Sequence, residues 1–181
     1  MVSSKMSAAY QLLRGTASAA YAYDLIDQLN VPLFALTEAS AEVQAEYPAQ
    51  AGAVFYHTTW SDGTISDAMI VVDDRRGYSD QAMAALIAHE ATHADYAYNT
   101  LAWTELTLLR YPDVTPPLSP NSINQEYDCF CNQMKTWEEL RGGLTDRNND
   151  AWYSYYEQGE SVLKDAIREA YTAAGQLLPD F

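Results

Sequence analysis

Positive charge is scarce in this sequence. Ten lysines and arginines stand against 25 aspartates and glutamates, for a formal net charge of −15. A nucleic-acid interface needs a basic footprint to displace counterions from phosphate, and the longest basic run here is the dipeptide Arg75-Arg76. Nucleic acid is therefore excluded as a partner, and anionic membrane surfaces repel such a chain for the same reason. The charge reads as a source of solubility, with attraction of basic peptides as the weaker reading. Long apolar runs are missing too: no stretch of about 18 apolar residues suggests a membrane span. The opening residues Met1-Val2-Ser3-Ser4-Lys5-Met6 lead into Tyr10, Gln11 and Arg14 rather than into an apolar core. No signal peptide is visible. A cytoplasmic location is expected, with secretion left open should a leader have been removed.

Cysteine occurs twice, as Cys129 and Cys131. Side chains two residues apart on a helix diverge and do not bridge, so this is not a disulfide framework. With 181 residues, the chain reads as a single domain, 1–181. A chain of this size buries roughly 70% of its unfolded surface and needs neither disulfides nor metal to fold.

Periodicity predicts an α+β protein. Leu13, Ala17, Ala20, Leu25 and Leu29 lie near helical spacing and predict a helix over 6–29, and the apolar run Val31 to Thr37 suits a buried strand. Together with a short Ala/Glu-rich helix ended by Pro48, these make up an N-terminal section, 1–52. The β-branched and aromatic run from Ala53 to Trp60, the turn Ser61-Asp62-Gly63 and the returning run Thr64 to Asp73 predict an antiparallel hairpin. Ser79 or Asp80 is placed to cap a helix from Gln81 to about Tyr98. That helix is apolar nearly all round, the mark of a buried one, and it continues or restarts through Leu101 to Arg110. Pro112, Pro116, Pro117 and Pro120 make a stiff loop. Ser122 with Gln125 forms a capping-box pattern for a helix stopped by Gly142-Gly143. A polar connector, Asp146 to Asp150, leads to two helices near 151–158 and 161–176 within the C-terminal section, 144–181.

Only three histidines are present, and two of them stand in His89-Glu90-Ala91-Thr92-His93, inside the predicted buried helix. Residues four apart share one helical face. Two neutral imidazoles on that face bind one zinc ion and leave room for a third protein ligand and a water. Glu90, about 100° further round the helix, is placed to reach the water rather than the metal.

The third ligand comes from elsewhere. One class of zinc sites supplies a histidine six residues after the second one, but that position is Asn99, and Tyr96 stands where the class has glycine. The remaining candidates are Glu105, Glu126, Glu138 and Glu139. Within about 60° of Glu126 on its helix lie Ile123, Cys129, Phe130, Gln133, Trp137 and Leu140, mostly an apolar, core-facing stripe. Asn124, Asp128, Asn132, Lys135 and Glu139 form the opposite, wet face. Glu126 is thus a carboxylate on a buried face, where it needs a cation. Metal is the favoured partner and Arg141 the alternative.

A helix with His89-Glu90-x-x-His93, a loop, a helix bearing Glu126 and a preceding strand pair resemble the gluzincin group of zinc metallopeptidases over about 53–141. The resemblance implies a zincin-like α+β fold in which Zn2+ is held by His89, His93 and Glu126. It implies hydrolysis of peptide or protein substrates with Glu90 as general base, and an edge strand that pairs with extended substrate. Thermolysin-type gluzincins carry an aspartate four residues after the ligand glutamate, where this chain has Phe130. Its length is closer to that of small, minimal gluzincins.

Other residues read less sharply. His57 on the first hairpin strand is a structural histidine or an oxyanion group. Tyr96, Tyr98, Tyr111, Tyr127 and the cluster Trp152, Tyr153, Tyr155 and Tyr156 are core or rim aromatics, or oxyanion donors. Cys129, one turn beyond Glu126, is a buried small hydrophobe or a ligand. In the latter case it closes a purely structural zinc site, the rival reading, which together with a zincin-fold peptide-binding module has no use for Glu90.

Overall fold

The computed structural model describes residues 1–116, 118–119 and 121–181. It is an α+β domain in which a small mixed sheet lies against one side of a central buried helix, and further helices cover the other side.

The sheet has three strands, β1 (Leu33–Ala35), β2 (Ala53–Thr59) and β3 (Ile65–Val72), in the order β1-β3-β2. The expected hairpin is present: β2 runs antiparallel to β3, with Phe55 opposite Ile70 and Ala53 opposite Val72, and Gly63 takes the left-handed conformation the turn requires (φ 84°). The register shifts between Tyr56 and Thr58, so His57 sits at an irregularity of the edge strand. The Val31–Thr37 run yields only the short β1, which pairs parallel to β3 through Leu33 and Ile70. The sheet is therefore mixed rather than a pure antiparallel hairpin.

Alternation along the strands creates two apolar layers. Leu33, Ala35, Ala53, Ile70 and Val72 face the central helix and pack in its main core. Val71, with Phe34, Val54 and Tyr56, faces the other way, under Leu36 and Tyr47. The short helix α3 (Ala41–Glu46) precedes Tyr47 on that side.

The central helix is α4 (Asp80–Tyr98). The Ser79 hydroxyl caps it by accepting from the Ala82 N–H at 3.2 Å. Met83, Leu86, Ile87 and Ala91 face the sheet and the N-terminal helices, while Ala82 and Ala85 face the opposite layer through Met134 and Trp137. Burial on both sides explains the absence of a polar face. The opposite layer is α6 (Ile123–Arg141), backed in turn by α7 (Arg147–Glu157) and α8 (Glu160–Ala173). Ser122 caps α6 by accepting from Gln125 N–H at 3.2 Å, but the Gln125 side-chain oxygen has no partner, so the capping box is half closed.

The N-terminal segment departs from the periodicity. Instead of one helix over 6–29 there are two, α1 (Ser7–Gly15) and α2 (Ala20–Gln28), separated by an extended Thr16. The break is a tertiary effect. The Glu139 carboxylate of α6 accepts the N–H groups of Ala17 and Ser18 at 2.7 and 3.1 Å, holding the turn between the two helices. Glu139 thus lies on the exposed face, as expected, yet is engaged. The connector Asp146 to Asp150 is likewise helical: Asp146 caps α7 by accepting from Asn149 N–H at 2.8 Å.

The stretch after α4 restarts as a separate helix, α5 (Thr100–Arg110), which buries none of its residues. In the loop that follows, Pro117 and Pro120 lie outside the described residues. Both cysteines are free. Among the described residues no helix is long and apolar enough to cross a membrane.

Two substitutions test this layering. Ile87→Ala, which removes a fully buried side chain, is expected to destabilise the protein by about 2–5 kcal/mol. Ser79→Ala, which removes only the cap of α4, is expected to cost about 1 kcal/mol. Urea unfolding followed by circular dichroism measures both, and equal losses would contradict the buried position of α4.

Candidate metal centre

The polar side chains buried between α4 and α6 converge on one point. His89 and His93 project from successive turns of α4. Glu126 meets them from the first turn of α6 and is only 4% exposed. The two Nε2 atoms lie 3.2 Å apart, His89 Nε2 lies 3.5 Å from Glu126 Oε2, and His93 Nε2 lies 3.4 Å from Glu126 Oε1.

These separations distinguish two arrangements. Charge-assisted hydrogen bonds between imidazolium and carboxylate close to about 2.7–2.9 Å, and both contacts here are longer. Ligands about 2.0–2.1 Å from a tetrahedral zinc ion stand about 3.3 Å from one another; the two Nε2 atoms meet that spacing, and Glu126 spans the pair, with one carboxylate oxygen towards each imidazole. Glu126 Oε2 is moreover a buried atom without a hydrogen-bond partner, as expected of a donor aimed at an ion. The donor set fits a metal, and imidazole with carboxylate suits zinc.

The Arg141 alternative is excluded. Arg141 pairs with Asp150 at 3.7 Å and stacks over the Tyr153 ring. Among the described residues, His89 and His93 are the basic groups within ion-pair distance of Glu126. Burial works to raise the Glu126 carboxyl, but the charge of His93 and its contacts with both imidazoles override it and hold the group well below the usual carboxylate range. Burial likewise works against a charged His93, and Cys129 with Glu126 reverses it, raising that imidazole well above its ordinary value.

Glu90 takes no part in this set. Its Oε2 accepts the backbone N–H of Phe55 at 2.8 Å, tying α4 to the open edge of β2 beside the centre. The His57 ring stacks on Phe55 with ring centres 4.9 Å apart. Burial, and then the nearby charge of His93, lower its pKa, so the strand does bring His57 towards the centre.

The surroundings of His89 differ from those of most zinc-binding histidines, whose second nitrogen donates to a carboxylate or carbonyl. His89 Nδ1 is buried with no partner. Phe130 instead packs edge-on against the ring, with centres 4.7 Å apart at 84°. The ring is held by packing where a carboxylate would have held it by a hydrogen bond.

Most of the tyrosines named from the sequence are engaged elsewhere. Tyr96 donates to Asp128 at 2.7 Å, Tyr111 donates to Glu160 at 3.2 Å, and Tyr127 lies under Arg110 and Lys164. The tyrosine that reaches the centre is one the sequence reading passed over, Tyr171 in the last turn of α8. Burial, followed by the charges of Glu126 and Glu90, pushes its phenol far above its ordinary value. Its signal was the stripe Leu163, Ile167, Tyr171, an amphipathic helix whose buried face ends in a hydroxyl.

Cys129 is also present. Its sulfur and the donor nitrogens of His89 and His93 lie within 4.8 Å of one another. Two three-donor sets can therefore be drawn, with Glu126 or with Cys129 as third member. Glu126 makes the closer contacts, at 3.4 and 3.5 Å from the imidazoles, while Cys129 joins both histidines with one donor atom each within 4.8 Å; burial pushes its thiol up to about 12.

No family model matches this chain, no curated protein matches it, and no solved structure matches it. The centre stands on its own geometry.

Glu126→Gln and His93→Ala are each expected to lose stoichiometric zinc, while Glu139→Gln keeps it and only weakens the α1–α2 junction. Equilibrium zinc titration of the refolded apoproteins decides this. Equal retention in Glu126→Gln and wild type would remove Glu126 from the centre.

Proposed function

We propose that this chain is a zinc-dependent peptide hydrolase of the gluzincin kind, with a zincin-like architecture. Zinc would be held by His89, His93 and Glu126, with Glu90 as general base. The observation that carries the reading is the pair of Nε2 atoms 3.2 Å apart, spanned by the two Glu126 oxygens at 3.4 and 3.5 Å, with a carboxylate one residue from His89 kept outside the set. When bound, zinc lowers the pKa of a ligated water towards neutrality and polarises a carbonyl oxygen.

The chain's own residues supply the rest. Glu90, anchored through Oε2 to the Phe55 N–H, takes the proton of the attacking water on its carboxylate and returns it to the leaving amine. Tyr171, kept protonated by burial and two neighbouring carboxylates, donates its hydroxyl hydrogen to the developing oxyanion. The edge strand β2 offers backbone groups to an extended peptide. Against the effect of burial, the His93 charge and the contacts with both imidazoles hold the Glu126 carboxyl below the usual carboxylate range, which favours the anion that binds a cation.

The rival is a non-catalytic protein whose metal serves stability or peptide binding. The position of Cys129 favours it, because a fourth protein donor closes a zinc site. The position of Glu90 between the centre and the edge strand weighs against it, since a structural site has no use for such a base.

Glu90→Gln is expected to keep zinc and fold but to lose about 10²–10⁴-fold in peptide hydrolysis. Tyr171→Phe is expected to lose about 10²–10³-fold in kcat with zinc affinity unchanged. A peptide-library digest by zinc-loaded wild type and variants, with a chelator control, is the measurement. Undiminished cleavage by Glu90→Gln would overturn the mechanism, and no cleavage by zinc-loaded wild type would favour the non-catalytic reading.

A further inference from the structure

The two helices that form the centre each present a pair of donors. α4 presents His89 and His93, four residues apart, and α6 presents Glu126 and Cys129, three residues apart on the facing stripe. Cys129 is fully buried and free. It is not a member of any of the apolar clusters that make up the core, although its neighbour Cys131 packs in one of them. Its sulfur instead lies with the imidazole nitrogens, all within 4.8 Å of one another. An independent observation points to the same place: Glu126 Oε2, in a side chain 4% exposed, has no hydrogen-bond partner and faces His89 Nε2 at 3.5 Å. We propose that Cys129 is a fourth, exchangeable ligand that caps the metal in the resting protein and yields its place when substrate enters. This inference rests on the zinc site of His89, His93 and Glu126.

Charge and ligand chemistry support the cap. A divalent cation held by two neutral imidazoles and one carboxylate keeps a net positive charge in a buried site, where uncompensated charge is costly. A thiolate brings the centre to neutrality, and zinc accepts sulfur readily. As the cap closes, the thiol proton leaves to solvent, the metal–sulfur bond forms and a water departs. As it opens, the metal–sulfur bond breaks, the sulfur regains a proton and an oxygen donor takes its position. Glu90 and the open edge of β2, both idle in a permanently closed site, argue for exchange. The cap would make the resting protein latent, and it would favour zinc and cobalt over magnesium, calcium and manganese, which prefer oxygen ligands.

Cobalt(II) substitution of the full chain tests this without relying on activity. Wild type is expected to bind one cobalt and show a near-ultraviolet sulfur-to-cobalt charge-transfer band. Cys129→Ser is expected to bind cobalt without the band, and acetohydroxamate is expected to abolish the band in wild type. X-ray absorption of zinc-loaded wild type, which needs no variant, is expected to show one sulfur at about 2.3 Å. Bound cobalt with no band, and no zinc–sulfur shell, would overturn the cap while leaving the His89, His93, Glu126 site standing. A band that persists under acetohydroxamate would overturn the exchange and mark a closed structural centre. Failure of wild type to bind metal would defeat the underlying site as well.

Discussion

Much of this structure depends on one carboxylate in the wrong solvent. Glu126 is 4% exposed and ionised between two packed helices. An unpaired charge there is unfavourable by several kcal/mol. The compensation comes entirely from α4, as His89 and His93. This constrains how α4 and α6 meet: sliding one helix along the other by a turn would replace one of the two histidines facing Glu126 by Ala85 or Ala97. The apolar contacts of Ala82 and Ala85 with Met134 and Trp137 further along the same interface select the same register, so packing and electrostatics agree.

The second constraint lies on the other side of α4. The sheet is narrow, and among the described residues no strand other than β3 pairs with β2, whose far edge is open. Glu90 reaches that edge through the Phe55 N–H and links sheet and helix one residue from His89. His57 follows at the register irregularity, and Tyr171 of α8 packs on the Phe130 cluster, near enough to Glu126 and Glu90 for their charges, after burial, to raise its phenol. The centre is thus walled by elements distant in sequence: a strand edge, two facing helices and the end of a third.

Phe130 shows how the same positions serve packing and chemistry. It stacks on Trp152 with ring centres 4.1 Å apart and meets His89 edge-on, while sharing a core with Leu163 and Ile167. An aspartate there would have given His89 Nδ1 a partner and opened a hole in that core. The chain keeps the hydrophobic layer and leaves Nδ1 bare, so His89 is oriented by Phe130 on its ring and by the contacts of Nε2 with His93 and Glu126.

What could be read from the sequence was local in physical origin. The His89-Glu90-x-x-His93 spacing places two imidazoles on one helical face by helix geometry alone. Ser79 and Ser122 satisfy orphan N–H groups wherever their helices lie, and the turn at Gly63 needs only its own backbone freedom. Even the burial of Glu126 could be read, because the apolar stripe around it is periodic. What escaped depended on partners far along the chain. The break between α1 and α2 is set by Glu139, more than a hundred residues away. The parallel pairing of β1 leaves no trace in a three-residue strand. Tyr171 and Cys129 gain meaning only because α6 is laid beside α4 and α8 against α6. The sequence by itself determined which helix faces are apolar and which residue types bear the chemistry, since both follow from short-range periodicity. Only the tertiary structure decided which of those side chains meet, because that is a matter of how separate apolar faces find one another in water.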